Sequence, residues 1–205
     1  MASHNAKLKQ KLFSNCSYLP YQRQTPQLTL LSFAGAETSA IAIRATLLYI
    51  TTNPQVCNSL LSELSSATIS DPITDEEARK LPYLQAVIKE GLRLYPPITG
   101  LALKLVPAGG DTLKGHYIPG GTKIGWTPFG MMMNTEVWGA DAKLFRPERW
   151  FEGSSDEKKR REMDVDMVFG YGKYLCLGRN IALMELNKIF VQVSLRELSH
   201  SRWLE

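Results

Sequence analysis

Cysteine is nearly missing from this chain, with 3 in 205 residues. Cys16, Cys57 and Cys176 form no CxxC pair and no even set, which excludes a disulfide scaffold and fits a reducing compartment. Histidine is equally scarce, at 3 residues, so a zinc site of the usual Cys/His spacing has too few ligands. Charge of one sign is missing as well. The 24 basic and 20 acidic residues leave a net +4, too small an excess to argue for a nucleic-acid partner. No internal repeat is present, and the opening "MASHNAKLKQKLFSNCSYLP" lacks the apolar core of a signal peptide. One window, Leu28 to Ile50, is apolar enough to suggest a membrane span. Glu37 and Arg44 interrupt it, and each is costly in lipid, so a buried helix is the expectation.

What is present is a globular composition, 44% hydrophobic and 21% charged, of a length suited to one domain or part of a larger one. Residues 1–27 read as irregular, with Pro20 and Pro26 and no periodicity. A helical pattern runs from Leu28 to about Thr52 and stops at "TTNP", where Asn53 is expected to cap a second helix beginning at Pro54. Thr74 and Glu77 carry a capping-box signature for a short helix, and another helix starts at Pro82 and halts at "LYPP". From Ile98 to Gly130, short apolar runs separated by glycine and proline predict strands and hairpins. Residues 131–168 hold few periodic elements beyond a short helix near "MMMNTEVWG", and "SSDEKKRRE" reads as a solvated loop rather than a nuclear-import signal. A last helix is expected from Leu177 to about Leu198. The fold class is mainly α with a small β region.

Cys176 stands out for its surroundings, "FGYGKYLCLGRNIALMEL". Gly172 and Gly178 flank it, and glycine lets backbone approach a flat ligand closely. The helix that follows turns unpaired amide protons and a positive dipole end toward the sulfur, a setting for a nucleophile or a metal ligand. A buried structural cysteine is the plainer alternative. A nucleophile needs a base, and no histidine lies near in sequence. Elsewhere, Glu90 and Arg93 in "KEGLRLYPP" share one helical face and can pair. Gly35, in "AGAETS", costs a helix about 1 kcal/mol relative to alanine and calls for a reason, such as a groove against which a ligand lies.

Together these strings resemble the cytochrome P-450 family, the haem-thiolate monooxygenases. "FGYGKYLCLG" fits the family's haem-binding loop, with Phe169, Gly172, Cys176 and Gly178 on the fixed positions; "KEGLRLYPP" and "FRPERW" match its ExxR helix and PER stretch, and "AGAETS" its distal helix. The order along the chain is also the family's. The resemblance covers about residues 28–193, the C-terminal part of the fold, leaving 1–27 outside the family pattern and 194–205 as a divergent tail.

The resemblance implies Cys176 as the axial iron ligand, Glu37 and Thr38 as the acid and hydroxyl that relay protons, and Glu90, Arg93 and Arg149 as a buried structural network. It implies haem b as cofactor, dioxygen, and electrons from an NADPH-dependent flavoprotein reductase docking near Lys173 and Arg179, a small apolar organic substrate, and a monomer. Two positions depart from the pattern. Tyr174 stands where the loop usually has Arg or His for a haem propionate, and Lys104 in "LALKLV" where an arginine often binds the other. Weaker haem retention is expected from both. The family is usually anchored to the endoplasmic reticulum. This chain shows no anchor, so a cytosolic or peripheral location is expected, together with a truncated product, of fungal secondary-metabolic type, whose turnover is in question. The alternative is an inert or merely haem-binding fragment.

Overall fold

The computed structural model describes residues 21–198. The expected irregular stretch over 1–20 and the end of the tail, 199–205, lie outside the described residues. The chain divides into two units, residues 1–37 and 38–205. The first contributes the N-terminal part of helix α1 (Tyr21–Thr51); the second holds the rest of α1 and every element that follows. Helix α1 begins at Tyr21 rather than Leu28, so residues 21–27 are helical and not irregular. Pro26 lies within the first two turns, where its missing N–H removes a single ladder bond.

In the second unit α1 buries Ala42, Thr46 and Ile50, one stripe at four-residue spacing. Helix α2 (Pro54–Ser66) follows at once and buries Val56, Cys57, Leu60 and Leu64. Asn53 sits at its N-cap position but makes no side-chain cap there. Its amide instead donates to Tyr49 O at 2.7 Å, satisfying a terminal carbonyl of α1. Only Thr52 and Asn53 separate the two helices, so a side chain at the start of α2 can serve the end of α1.

Helix α3 (Asp75–Arg79) starts at a complete capping box between Thr74 and Glu77. Glu77 also accepts from Ser70 Oγ at 2.7 Å. The Ser70 and Thr74 hydroxyls, followed by the Thr74 backbone N–H, bring its carboxyl down to about 2.

Helix α4 (Pro82–Leu94) is the centre of the fold. It is buried on nearly every face, from Leu84 through Leu94, and packs against α2, α3 and the later helices. Its N-cap residue Leu81 has no side chain able to cap. Glu63, from α2, does so instead, accepting from the backbone N–H of Tyr83 at 2.7 Å and of Leu84 at 2.8 Å. Where α4 crosses α1, Gly91 lies directly under Thr46. A Cβ there would fall 2.0 Å from Thr46 Oγ1. That glycine sets the spacing of the two helices.

The β region is antiparallel and small. Strand β1 (Ala102–Leu105) pairs with β4 (Lys123–Trp126) in the register Ala102↔Trp126 to Leu105↔Lys123. Between them β2 (Asp111–Leu113) and β3 (His116–Ile118) form a hairpin whose turn residues Lys114 and Gly115 have φ of 50° and 83°. Short helices α5 (Pro128–Met132) and α6 (Thr135–Trp138) follow, then a 3-10 turn at Pro147–Trp150.

The segment expected as a solvated loop is instead helix α7 (Ser155–Asp166). A capping box between Ser154 and Glu157 starts it, and Asp156 and Glu157 suit the positive end of its dipole. Solvation, not helix, was the legible part: only Val165 is buried. Helix α8 (Arg179–Val193) ends the described chain and continues as a π turn over Ser194–Leu198. Among the described residues no helix is long and apolar enough to cross a membrane.

Gly91→Ala is expected to lower stability by about 1–3 kcal/mol, the ordinary cost of overpacking, seen as a lower urea midpoint. Adding Thr46→Ala, which removes the two nearest colliding atoms, should recover part of the loss. Glu77→Gln tests the α3 cap through pH. A carboxyl whose folded value is depressed stabilises above its unfolded value and loses that contribution as pH falls. The gap in urea midpoint between wild type and Glu77→Gln should therefore be widest above an ordinary 4.5 and close toward about 2.

Candidate functional site

The Glu90 carboxylate is completely buried. Arg93, one turn on, donates to it through Nε at 2.9 Å and Nη2 at 2.8 Å, a two-pronged pair. Arg149, from the 3-10 turn, adds Nε at 2.9 Å. Trp150 Nε1 donates at 3.1 Å and the Arg146 backbone N–H at 3.0 Å. The remaining guanidinium protons also find partners. Arg93 Nη1 reaches Met132 O at 2.8 Å and Ala142 O at 2.7 Å, and Arg149 Nη1 reaches Trp138 O at 3.1 Å. The structure thus brings Glu90, Arg93 and Arg149 into one cluster. Trp150 and Asp141 join it without having been singled out in the sequence. Asp141 accepts from Arg149 at 3.3 Å and from Arg146 Nε at 2.6 Å. Partial burial pushes the Asp141 carboxyl up, but the Arg146 hydrogen bond and the Arg149 charge outweigh it and hold the group low.

The cysteine loop lies on the chain between α7 and α8. The Cys176 backbone N–H donates to Phe169 O at 2.7 Å, closing residues 169–176 into a tight bulge. Gly170 and Gly172 take φ of 80° and 61°, left-handed values that suit glycine. Gly170 is the more constrained, since a Cβ there would lie 2.7 Å from Tyr174 O. At Gly178, a Cβ would sit 3.8 Å from Cys176 Sγ, an ordinary contact distance.

Cys176 is a free, exposed thiol, whereas Cys57 is buried and burial pushes its thiol up. Gly172, Cys176, Leu177 and Asn180 are among the residues lining a recess of ≈ 510 Å³. Leu177 is 98% exposed, so the loop presents an apolar tip. At its base Arg179 grips Asp166 at 2.7 and 2.9 Å and lies over the Phe169 ring, fixing the start of α8 against the end of α7. Arg179 is thus already paired, and Lys173 lies over the Tyr174 ring.

The β1–β4 pair meets the loop through one side chain. Lys104 Nζ lies 4.8 Å from the centroid of the Tyr174 ring and 5.1 Å from that of Trp126. Lys104 and Tyr174, widely separated in sequence, are therefore neighbours. On α1, Thr38 is half-buried and Glu37 exposed, and a Cβ at Gly35 would meet nothing within 4 Å. Ser39 donates to Glu185 Oε2 at 2.8 Å, tying α1 to α8. Among the described residues no group of His, Cys, Asp and Glu is arranged to hold a metal ion by itself.

This chain matches the family described as cytochrome P-450 over residues 8–201. The chain belongs to the cytochrome P-450 family. It is 45% identical over 178 residues to cytochrome P-450 monooxygenase ABA1 of Pyricularia oryzae, covering 84% of this chain and 35% of that protein. It is 43% identical over 164 residues to cytochrome P-450 monooxygenase aba1 of Botryotinia fuckeliana, covering 78% of this chain and 32% of that protein. Pisatin demethylase of Fusarium vanettenii is 36% identical over 160 residues, with 78% and 30% covered. The chain spans about a third of the length of these fungal relatives.

Membership implies a haem cofactor. The residues present fit that group. Cys176 offers an exposed sulfur beside a recess. On the strand side, the Trp126 indole N–H has no acceptor among the described residues, and the Lys104 ammonium pairs with no carboxylate there.

Replacing Glu90 with Gln should be strongly destabilising, by about 3–5 kcal/mol, because it leaves the buried Arg93 guanidinium with no carboxylate and Arg149 with only Asp141 at 3.3 Å. Equilibrium denaturation measures this. Arg149→Lys keeps the charge but loses the fork, and should cost less than Glu90→Gln.

Proposed function

We propose that this chain supplies the iron-ligating part of a haem-thiolate monooxygenase, with the Cys176 sulfur as axial ligand. The observation that carries the reading is the exposed Cys176 thiol, in a loop closed by Phe169 O and bordered by a recess. The haem would supply reductive activation of dioxygen, one atom entering an organic substrate and the other leaving as water.

Around it the chain's own residues divide the work. Cys176 would donate electron density to iron. Gly172 and Gly178 keep side-chain bulk away from the macrocycle, and Phe169 holds the loop shut through its carbonyl. Lys104 and Tyr174 would bind propionate, Lys104 as a point charge and Tyr174 through its hydroxyl. Glu37 and Thr38 would pass protons through the Glu37 carboxylate and Thr38 Oγ1. Glu90, Arg93 and Arg149 would take no part in chemistry, holding α4 and the 3-10 turn together.

Electrons would come from an NADPH-dependent flavoprotein reductase, with Lys173 the nearer free-standing cation, since Arg179 is held by Asp166. The substrate would be a small apolar organic molecule.

The test is spectroscopic. The full chain, produced with haem, reduced and exposed to carbon monoxide, should give a strongly red-shifted, thiolate-type Soret band, and Cys176→Ser should lose it while remaining folded. An unshifted band in the wild type would overturn the assignment of Cys176. A shifted band without NADPH consumption in the presence of reductase would leave haem binding alone.

A further inference from the structure

On the β1–β4 pair, Ala102 faces Trp126 and Lys104 faces Ile124 across the register, so Lys104 and Trp126 are diagonal neighbours on one face. Two features of that face lack a counterpart. The Trp126 Nε1–H is shielded from solvent and finds no acceptor among the described residues. The Lys104 ammonium sits between the Trp126 and Tyr174 rings, and no carboxylate is paired with it there. A buried indole N–H without an acceptor costs about 1–3 kcal/mol unless something fills the position. Beside an ammonium held by two aromatic faces, the missing partner is an anionic oxygen acceptor. The cation supplies charge, and the indole supplies a single, rigidly directed donor that lysine alone lacks.

We propose that Trp126 is a carboxylate-binding residue, donating its indole N–H to the haem propionate that Lys104 neutralises. This rests on the haem-thiolate reading of Cys176. It assigns to β4 a donor that none of the sequence motifs marks. It also gives a reason for a lysine in place of an arginine at position 104. The second prong of a guanidinium fork is supplied by a neighbouring strand, and the ring of the same residue holds the lysine in place.

The test separates the N–H from the ring. Trp126→Phe keeps an aromatic face beneath Lys104 and removes the donor. Apoprotein of the full chain, wild type and Trp126→Phe, is titrated with haem and with haem dimethyl ester, whose propionates are esterified and accept only weakly. Dissociation constants are read from the Soret band, and far-ultraviolet dichroism confirms folding. Trp126→Phe should bind haem about tenfold more weakly or worse, as expected for a hydrogen bond to a charged group, and bind the ester as the wild type does. Equal affinities of the two proteins for haem overturn the assignment, as does an equal loss for both porphyrins. If the wild type gives no thiolate-type band with carbon monoxide, the Cys176 reading fails and this one with it. If that band forms and the two porphyrins are not discriminated, only the role of Trp126 fails.

Discussion

A carboxylate with no access to water governs this structure. Glu90 carries a charge that is affordable only because every direction around it supplies a donor: two guanidinium groups, an indole and a backbone amide. Arg93 comes from α4 itself and the other three donors from residues 146–150, so satisfying the charge means bringing α4, the 3-10 turn and the residue before it to one point. The arginines in turn gather the carbonyls of Met132, Ala142, Trp138 and Leu144. Residues 131–150 are thereby held to α4 by hydrogen bonds as well as by the buried side chains of Met132, Trp138, Ala142 and Trp150.

From this centre the arrangement spreads outward. Helix α4 is buried nearly all round, which requires close neighbours on each side: Gly91 lets α1 come in at Thr46, and Glu63 caps the first turn from α2. On the far side Gln85 donates to Asn187 of α8, and Asn187 donates to Asp75 of α3. That chain of amides fixes the helix directly following the cysteine loop against the core. The sulfur is thus presented by a short bulge whose two ends are anchored, one by the Arg179–Asp166 pair and the other by the Cys176 amide on Phe169. An exposed loop without such anchors would surrender its geometry to conformational entropy.

Some of this could be read along the chain, and the reasons differ by element. Helices α2 and α4 were legible because each begins with proline and carries an apolar period, and α3 because Thr74 and Glu77 mark a short cap. Helix α7 was not, although Ser154 and Glu157 spell the same cap, because a helix that buries one residue has almost no apolar period to follow. Asn53 looked like a cap and turned out to serve the preceding helix; local chemistry named the residue but not the end it satisfies. Gly35 drew attention within a helix, yet the glycine where an added Cβ would collide hardest is Gly91, against the side chain of Thr46, 45 positions away in sequence. Trp126 and Trp150 carried no motif at all.

The sequence by itself determined the family and the pairing of Glu90 with Arg93, because these depend on residue type at fixed short spacing: a turn of helix, a glycine-bracketed loop. Tertiary structure decided what short spacing cannot encode. It placed Lys104 between Tyr174 and Trp126, left one indole proton without an acceptor, and surrounded a single carboxylate with donors from distant segments. Hydrogen bonds and close packing act over a few ångströms, so their partners are set by where the chain returns, not by the order in which its residues are written.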